Sequence, residues 1–374
     1  YNSGSGSLKI KYTTAKQSSE ITLKIYSPSF RLIKQISLGK NIYLRRLFQH
    51  CHFLMFEKKT QRDNVYKWPV LEENGLFYAL VYLAGTPWVI SENRKRSIKD
   101  EITISTLKDI ELWILHDKNT GNWQFKNLGW LWFHFHNKLF ALGRLQFCLD
   151  TFNFDYVGLI NNNGAFCLIA PGKQIVRRDG QFNGTSGIDD PESFQTIFQE
   201  TDNKITGHEI TINGKITKET QIFAIDKNNW QVVLRRNDKA ISVHIPATGP
   251  LCENEVKQSF SLSIPFFQKH FPDFKFNIFF SVTWLFDNNL PLILPPSSNI
   301  VKFQKIFHLF PVPGATDNQI WERVFGEKPN NMEEVTPKTS LQKAMIEHVK
   351  NGKHFHIQGG ILLKDFFIRE QKNG

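Results

Sequence analysis

The sequence predicts an α+β fold, with a helical N-terminal domain over residues 1–138 and a mixed β-sheet domain flanked by helices over residues 139–374. A chain of 374 residues is longer than one hydrophobic core usually spans, which is about 250–300 residues. Apolar residues recur at helical spacing before Gly121, whereas short strand-like runs alternate with Asn/Gly turns after Phe140. This change of pattern separates the two predicted domains.

Two stretches of the N-terminal domain have the apolar spacing of buried helices. The first is GLFYALVYLAG at 75–85, and the second is TLKDIELWILHD, which follows Ser105. Serine favours the N-cap of a helix, and glycine is common just after a helix end. We therefore predict one helix over 75–85 and a second that begins after Ser105 and ends at Gly121, with their aromatic side chains in the core.

The C-terminal domain begins with strand-like runs separated by turns, such as INNNGAF at 160–166 and ITINGKI at 210–216. In WQVVLRRNDKAISVHI, at 230–245, two β-rich runs flank Asn237-Asp238, which predicts a hairpin. The later spacing predicts, in order, a helix over 253–270, a strand over 277–286, helices over 299–307 and 340–350, and a strand pair around Gly359-Gly360.

The stretch ISVHIPATGPLCENEVKQSF, at 241–260, changes from a strand pattern through a turn of small residues to a helix start. A helix N-terminus carries unpaired N–H groups and partial positive charge, so such a loop can bind an anion. Gly249 would let a ligand approach the backbone, and Pro250 suits the first helical turn. The pattern is compatible with the pyrophosphate of a nucleotide-like cofactor, although one glycine and one proline after a strand more often form a tight connection that binds nothing.

The basic charge is concentrated at the N-terminal end of the chain. Residues 1–60 contain eleven lysines and arginines but only two acidic residues, Glu20 and Glu57, whereas the remainder has 35 basic and 33 acidic residues. A solvated basic face explains this bias, and no zinc finger or recognition-helix motif accompanies it. We therefore expect no nucleic-acid partner, although a nucleic-acid-associated protein stays a third interpretation. No run of eighteen apolar residues predicts a membrane span.

Cysteine and histidine spacing predicts no metal site. Cys51, Cys148, Cys167 and Cys252 are far apart and form no CxxC pair, which also argues against a disulfide framework and favours a cytoplasmic protein. The histidines at 134 and 136, and those at 354 and 356, form pairs with no third ligand, so solvent-facing strand positions explain them. Arg144 and Gln146 alternate with apolar residues and are predicted to face a pocket or a neighbouring domain.

Several ordered motifs resemble a bacterial family of acyltransferase domain-containing proteins, which join an N-terminal acyltransferase-associated domain to a C-terminal GNAT-like domain. The motifs that carry the resemblance are STLKDIELW (105–113), GWLWFH (129–134), ALGRLQF (141–147), VHIPATGPL (243–251), TWLFDNNLPLILPPSSNIVKFQ (283–304), VFG (324–326) and TSLQKAMIEHVKNGKHFHIQGG (339–360). The resemblance covers about residues 75–365. It implies a GNAT-like sheet that binds acyl-coenzyme A and uses no metal.

The resemblance also implies which residues bind the cofactor. In GNAT proteins a central strand splays from its neighbour, pantetheine pairs with the exposed backbone, and the following turn and helix bind the pyrophosphate. Val243 and Ile245 would meet pantetheine, and the residues expected at the phosphates are Ala247, Thr248, Gly249 and Leu251. Ser298 and Asn299 are further polar candidates for cofactor binding. The loop departs from the usual Q/RxxGxG/A pattern, because it contains one glycine.

The implied chemistry is direct transfer of an acyl group from the small-molecule donor to an amine-like acceptor. His244 is the candidate base, because it precedes the loop and its ordinary pKa of about 6.5 suits proton transfer near neutrality. Asp287 would orient His244 or bind substrate. Structural roles for His244 and Asp287 are the alternatives, and the tyrosine that often acts as acid in GNAT enzymes has no counterpart. A catalytically inactive acyl-CoA-binding or scaffold module is therefore the second interpretation.

Overall fold

The computed structural model describes residues 22–26, 32–37, 85–86, 88–119, 130, 133–220, 222–329 and 331–366. The chain divides into two compact units. Unit 1 contains Tyr1–Cys148, Ile245–Thr248 and Phe266–Phe271, and unit 2 contains Leu149–His244, Gly249–Pro265 and Pro272–Gly374. The division at residues 138 and 139 that the sequence suggests stays a prediction.

Unit 1 begins with an antiparallel strand pair, β1 (Thr22–Tyr26) and β2 (Leu32–Ser37), and continues to a long helix, α1 (Asp100–Asn119). The strand pair was not expected in a mainly helical domain, and the predicted helix over 75–85 lies almost entirely outside the described residues. The N-cap prediction at Ser105 is wrong, because α1 begins five residues earlier. Asp100 and Glu101 place negative charge at its first turn, where the helix dipole favours it.

A β-hairpin packs beside α1 in unit 1. Strand β3 (Leu139–Leu142) pairs antiparallel with β4 (Leu145–Thr151), and the division between the units falls inside β4. The hydroxyl of Thr106 in α1 accepts a hydrogen bond from the backbone N–H of Ala141 at 2.8 Å. Phe140 packs against Phe266 and Phe271, with ring centroids 5.0 and 5.3 Å apart. These contacts connect the helix, the hairpin and the last turns of a second helix within one core.

The central sheet of unit 2 has the strand order β15 (His308–Pro311), β16 (Gln358–Leu363), β14 (Ile278–Thr283) and β13 (Lys239–His244). Strands β14 and β16 pair antiparallel over their whole length, from Ile278↔Leu363 to Thr283↔Gln358. Strands β13 and β14 are parallel. The predicted strand pair around Gly359-Gly360 is therefore a single strand, β16, that pairs with β14 on one side and β15 on the other.

Shorter strands lie between β4 and β13 in the chain. They are β5 (Val157–Asn161), β6 (Phe166–Ile169), β7 (Ile175–Val176), β8 (Phe194–Gln195), β9 (Phe198–Glu200), β10 (Lys204–His208), β11 (Ile222–Asp226) and β12 (Trp230–Leu234). A shared core joins Phe152 and Leu168 to Ala240 and Phe280 of the sheet. The hairpin predicted at Asn237-Asp238 is wrong: the chain turns there, but β12 pairs with β5, so β12 and β13 belong to different sheets.

Helices complete unit 2. They are α2 (Glu253–His270), whose residues up to Pro265 belong to unit 2, α3 (Leu290–Ile293), α4 (Asn299–Gln304), α5 (Asn318–Phe325) and α6 (Ser340–Lys350). The predictions over 253–270 and 340–350 are confirmed in their bounds. Phe260 of α2 meets Phe279 of β14 edge to face at 5.1 Å, so α2 packs on the sheet face opposite to the one that contains Ala240 and Phe280. The mixed helix-and-sheet class predicted from the sequence is confirmed.

Candidate functional site

Strands β13 and β14 separate near their carboxyl ends. Their parallel register pairs only Ile241↔Phe279 and Ser242↔Phe280, although β13 continues to His244 and β14 to Thr283. The other edge of β14 stays paired with β16 as far as Thr283↔Gln358. The opening therefore lies between β13 and β14, and it leaves the β14-facing backbone edge of Val243 and His244 outside the sheet ladder. We call this opening the splay.

His244 lies beside the splay on the sheet face that contains Ala240. The Oγ of Ser242 and the Nε2 of His244 are hydrogen-bonded at 3.1 Å, which fixes both side chains on the same face. Val243 points to the opposite face and is buried, whereas His244 is half-buried. The Ser242 hydroxyl thus helps to position the imidazole at the point where the sheet opens.

The loop after β13 is exposed before it enters α2. Residues 247–250 are exposed, and Leu251 is buried. Gly249 has a φ of 151°, which disfavours any side chain, and a Cβ placed there would meet nothing within 4 Å. Pro250 does not lie in the first helical turn as expected, because α2 begins at Glu253. The glycine is therefore required by the backbone conformation of the loop and not by crowding.

Ile245–Thr248 belong to unit 1, where the β3–β4 hairpin contacts the start of the loop. The Nη1 of Arg144 donates a hydrogen bond to the carbonyl oxygen of Pro246 at 2.9 Å. Gln146, the other residue expected to face a pocket, is buried, and its Oε1 has no hydrogen-bond partner. The guanidinium of Arg144 thus lies next to the segment that the resemblance assigns to phosphate binding.

Two lysines surround the first residue of α2. The Nζ of Lys257 lies 3.3 Å from one carboxylate oxygen of Glu253, and the Nζ of Lys302 in α4 lies 3.5 Å from the other. Hydrogen bonding and charge from Lys257, with Lys302 beside it, lower the pKa of Glu253. Ser298 and Asn299 lie one turn before Lys302, so α4 brings these predicted residues towards the start of α2. Lys302 was missed, although PSSNIVKFQ contains it.

Asp287 has a different environment from His244. It is fully buried just beyond β14, where its Oδ1 accepts a hydrogen bond from the backbone N–H of Asn289 at 2.8 Å and its Oδ2 accepts one from the backbone N–H of His356 at 2.6 Å. Burial raises the pKa of Asp287 to about 7, although these N–H groups act in the opposite direction. The imidazole near its carboxylate belongs to His356, whose Nε2 lies 3.9 Å from Oδ1. Orientation of His244 by Asp287 stays a prediction.

The expectation of solvent-facing strand positions for the paired histidines is wrong for two of them. His356 precedes β16 and is buried, and burial lowers its pKa to about 4. His134 is buried in a turn, with its Nε2 3.2 Å from the Oδ2 of Asp109. A period-two pattern in sequence does not distinguish a strand from these compact turns. Both histidines therefore have structural partners that are distant in sequence.

In the part of the chain that the structure describes, no group of three or more histidine, cysteine, aspartate or glutamate side chains could bind a metal ion. Within the same residues, no helix has the length and apolar character needed to cross a membrane.

Comparison with protein families identifies both parts of the chain. The family model described as the GNAT-like C-terminal domain matches residues 139–362, and the one described as the N-acyltransferase N-terminal domain matches residues 31–137. The family resemblance inferred from the motifs is thereby confirmed. A search of curated proteins finds no match.

Solved structures of acyltransferases share the fold. A mutant acyltransferase in complex with octanoyl-CoA is 20% identical, with a TM-score of 0.54, and the alignment covers 85% of this chain and 77% of that one. An acyltransferase bound to CoA and 10C-teicoplanin is 20% identical, with a TM-score of 0.55 and coverage of 87% and 79%. An acyltransferase bound to decanoyl-CoA and teicoplanin is 22% identical, with a TM-score of 0.53 and coverage of 86% and 76%. At these identities the likeness establishes the fold.

Proposed function

We propose that this chain, which belongs to the family of the GNAT-like C-terminal domain, is an acyltransferase that transfers an acyl group directly from acyl-coenzyme A to an amine-like acceptor. The observation that carries the proposal is the splay between β13 and β14, followed by a loop that enters α2. The neighbours with the same fold, which are bound to octanoyl-CoA, CoA and decanoyl-CoA, support the choice of donor.

Coenzyme A would bind along β13 and the loop that follows it. The amides of pantetheine need hydrogen-bond partners, and the backbone of Val243 and Ile245 would supply them. The pyrophosphate would meet Ala247–Leu251 and the first N–H groups of α2, where a helix dipole favours negative charge. Lys257 and Lys302 offset the charge of Glu253 there, and Glu255 is a second acidic residue in the same turn. Ser298 and Asn299 would add polar contacts.

The reaction needs one proton acceptor and one proton donor. The amine attacks the thioester carbonyl, the carbon–sulfur bond breaks, and the thiolate of coenzyme A takes up a proton as it leaves. We assign the removal of the amine proton to His244, because it is half-buried beside the splay and its orientation is fixed by Ser242. We assign Asp287 a positioning role, because its carboxylate oxygens bind the backbone of Asn289 and His356.

A second candidate function is binding of acyl-CoA without transfer. The loop contains a single glycine, at position 249, where GNAT enzymes usually have more, and this observation favours a sensor or scaffold module. Acyl transfer is tested by mixing the protein with a panel of acyl-CoAs and primary amines and measuring the free thiol released. We expect release that depends on the amine, with the acylated amine identified by mass spectrometry. Binding of acyl-CoA without release of free thiol across the panel would favour the sensor or scaffold function over the acyltransferase function.

The basic N-terminal segment allows a separate test of the nucleic-acid alternative. We expect deletion of residues 1–20 to leave coenzyme A binding unchanged, because the proposed binding residues all follow residue 242. We also expect any DNA or RNA binding of the full chain to be weak at physiological salt. Tight, sequence-selective nucleic-acid binding would promote the third interpretation.

A further inference from the structure

The sheet face that contains His244 is covered at one end and open at the other. Ala240, Ile278 and Phe280 lie on this face and are buried in the core shared with the shorter strands. Val282 is the next residue on the same face of β14, and it is 37% exposed, whereas every other residue of β14 is buried. On β14 the cover therefore ends between Phe280 and Val282.

Val282 and His244 lie at the same level on the two arms of the splay. The register Ser242↔Phe280 continues by two residues to His244 and Val282, and side chains two residues apart share a face. Paired strands lie about 4.8 Å apart, and the ladder has already ended at this level. A gap wider than one strand spacing consequently separates an imidazole on one arm from an apolar side chain on the other.

On its other side Val282 is supported by an aromatic ring. Val282 pairs with Gly359, which also pairs with Phe310 of β15. A Cβ on Gly359 would lie only 2.0 Å from the ring of Phe310, so this ring occupies the place that a side chain would take. Opposite residues in a sheet have Cβ positions about 5 Å apart, so the ring lies next to Val282. The arm of the splay opposite His244 is therefore an apolar wall.

We propose that Val282, backed by Phe310, receives the acyl carbons beyond the thioester and determines which acyl chains are accepted; this inference rests on the proposed function. Pantetheine contains amides and is satisfied by the backbone of β13, whereas the Val282 side chain offers no hydrogen bond. Burial of methylene groups against Val282 removes apolar surface from water on both partners. The acceptor amine then approaches from the side of His244.

The test compares the affinities of coenzyme A, acetyl-CoA and octanoyl-CoA by calorimetry, which needs no knowledge of the acceptor. We expect wild type to bind octanoyl-CoA roughly tenfold or more tightly than acetyl-CoA, since each fully buried methylene contributes about fourfold. Val282→Trp should fill the gap and bring the ratio of octanoyl-CoA affinity to acetyl-CoA affinity close to one, with coenzyme A titrated into the same variant as the reference. Val282→Thr keeps the shape and β-propensity and should reduce the advantage by a smaller factor.

The matched control is Leu262→Trp, because Leu262 is an apolar residue of α2 that is 46% exposed and lies away from the splay. It should leave all three affinities unchanged. If coenzyme A binds but the advantage of octanoyl-CoA is absent in wild type, or is the same in Val282→Trp as in wild type, the inference is overturned and the proposed function stands. If wild type binds no coenzyme A, the proposed function fails and the inference with it.

Discussion

The segments that follow β13 and β14 leave the same edge of one sheet but have opposite environments. After β13, residues 247–250 are exposed, and Gly249 adopts a backbone conformation with open space around it. After β14, residues 284–286 form a 3₁₀ turn. The Nε2 of Gln304 donates hydrogen bonds to the carbonyl oxygens of Leu285 and Asp287, at 2.7 and 2.8 Å respectively. One segment is available to a ligand and the other is fixed by the protein.

This difference separates His244, the proposed base, from Asp287, the proposed positioning residue. Buried polar groups cost free energy unless their hydrogen bonds are made, so a residue such as Asp287, with both oxygens bonded, stabilises the fold. His244, in contrast, is half-buried beside the splay, where we expect a substrate to reach its imidazole. We therefore expect chemistry at the end of β13 and structural support at the end of β14.

His244→Gln should have the largest effect on activity. Removal of the base should reduce acyl transfer by roughly 10²- to 10⁴-fold, with little change in coenzyme A affinity or melting temperature. Steady-state rates, titration calorimetry and thermal melting measure these three quantities, and His354→Gln, which changes an exposed histidine, serves as the control. Normal turnover by His244→Gln would show that His244 is not the base. Loss of stability in this variant would indicate a structural role for His244.

Asp287→Ala should have the largest effect on stability. It leaves the backbone N–H groups of Asn289 and His356 without their acceptor in a buried site, which costs on the order of 3 kcal/mol in the free energy of unfolding. Denaturant unfolding measures this cost. Asp273→Ala, which removes an exposed aspartate near the amino end of β14, should change stability by less than about 0.5 kcal/mol. Equal effects in the two variants would contradict the anchoring role.

The pH dependence of stability sharpens the assignment of Asp287. Its pKa in the folded state is about 7, above the ordinary value of 3.8, so its stabilising contribution is complete below about pH 3.8 and is lost as the pH rises through 7. The lowered pKa of His356 makes stability rise with pH, which partly offsets the loss caused by Asp287 in wild type. The free energy of unfolding of Asp287→Asn minus that of wild type should therefore increase from pH 4 to pH 8, by on the order of a few kcal/mol. A constant difference between the two proteins would exclude titration of Asp287.

The sequence predicted local features better than pairings between distant residues. The apolar spacing in 253–270 and 340–350 gave both helices with their bounds, because helix periodicity is encoded within a few turns. The pairing of β12 with β5 and the approach of Lys302 to Glu253 depend on the fold, and no short pattern encodes them. The burial of His356 beside Asp287 was missed for the same reason. The position of His244 before a loop and a helix was visible, because it is contiguous in the chain.

The central claim is that coenzyme A binds at the end of β13 and its loop, and calorimetric titration of coenzyme A tests it most directly. We predict saturable binding to wild type and loss of most of that affinity in Gly249→Val, because a side chain disfavours the φ of 151° that shapes the loop. Gly352→Val, at a glycine that also has positive φ and open space but lies after α6, should bind as wild type does. Absence of binding to wild type, or equal affinity in Gly249→Val and wild type, would contradict the claim.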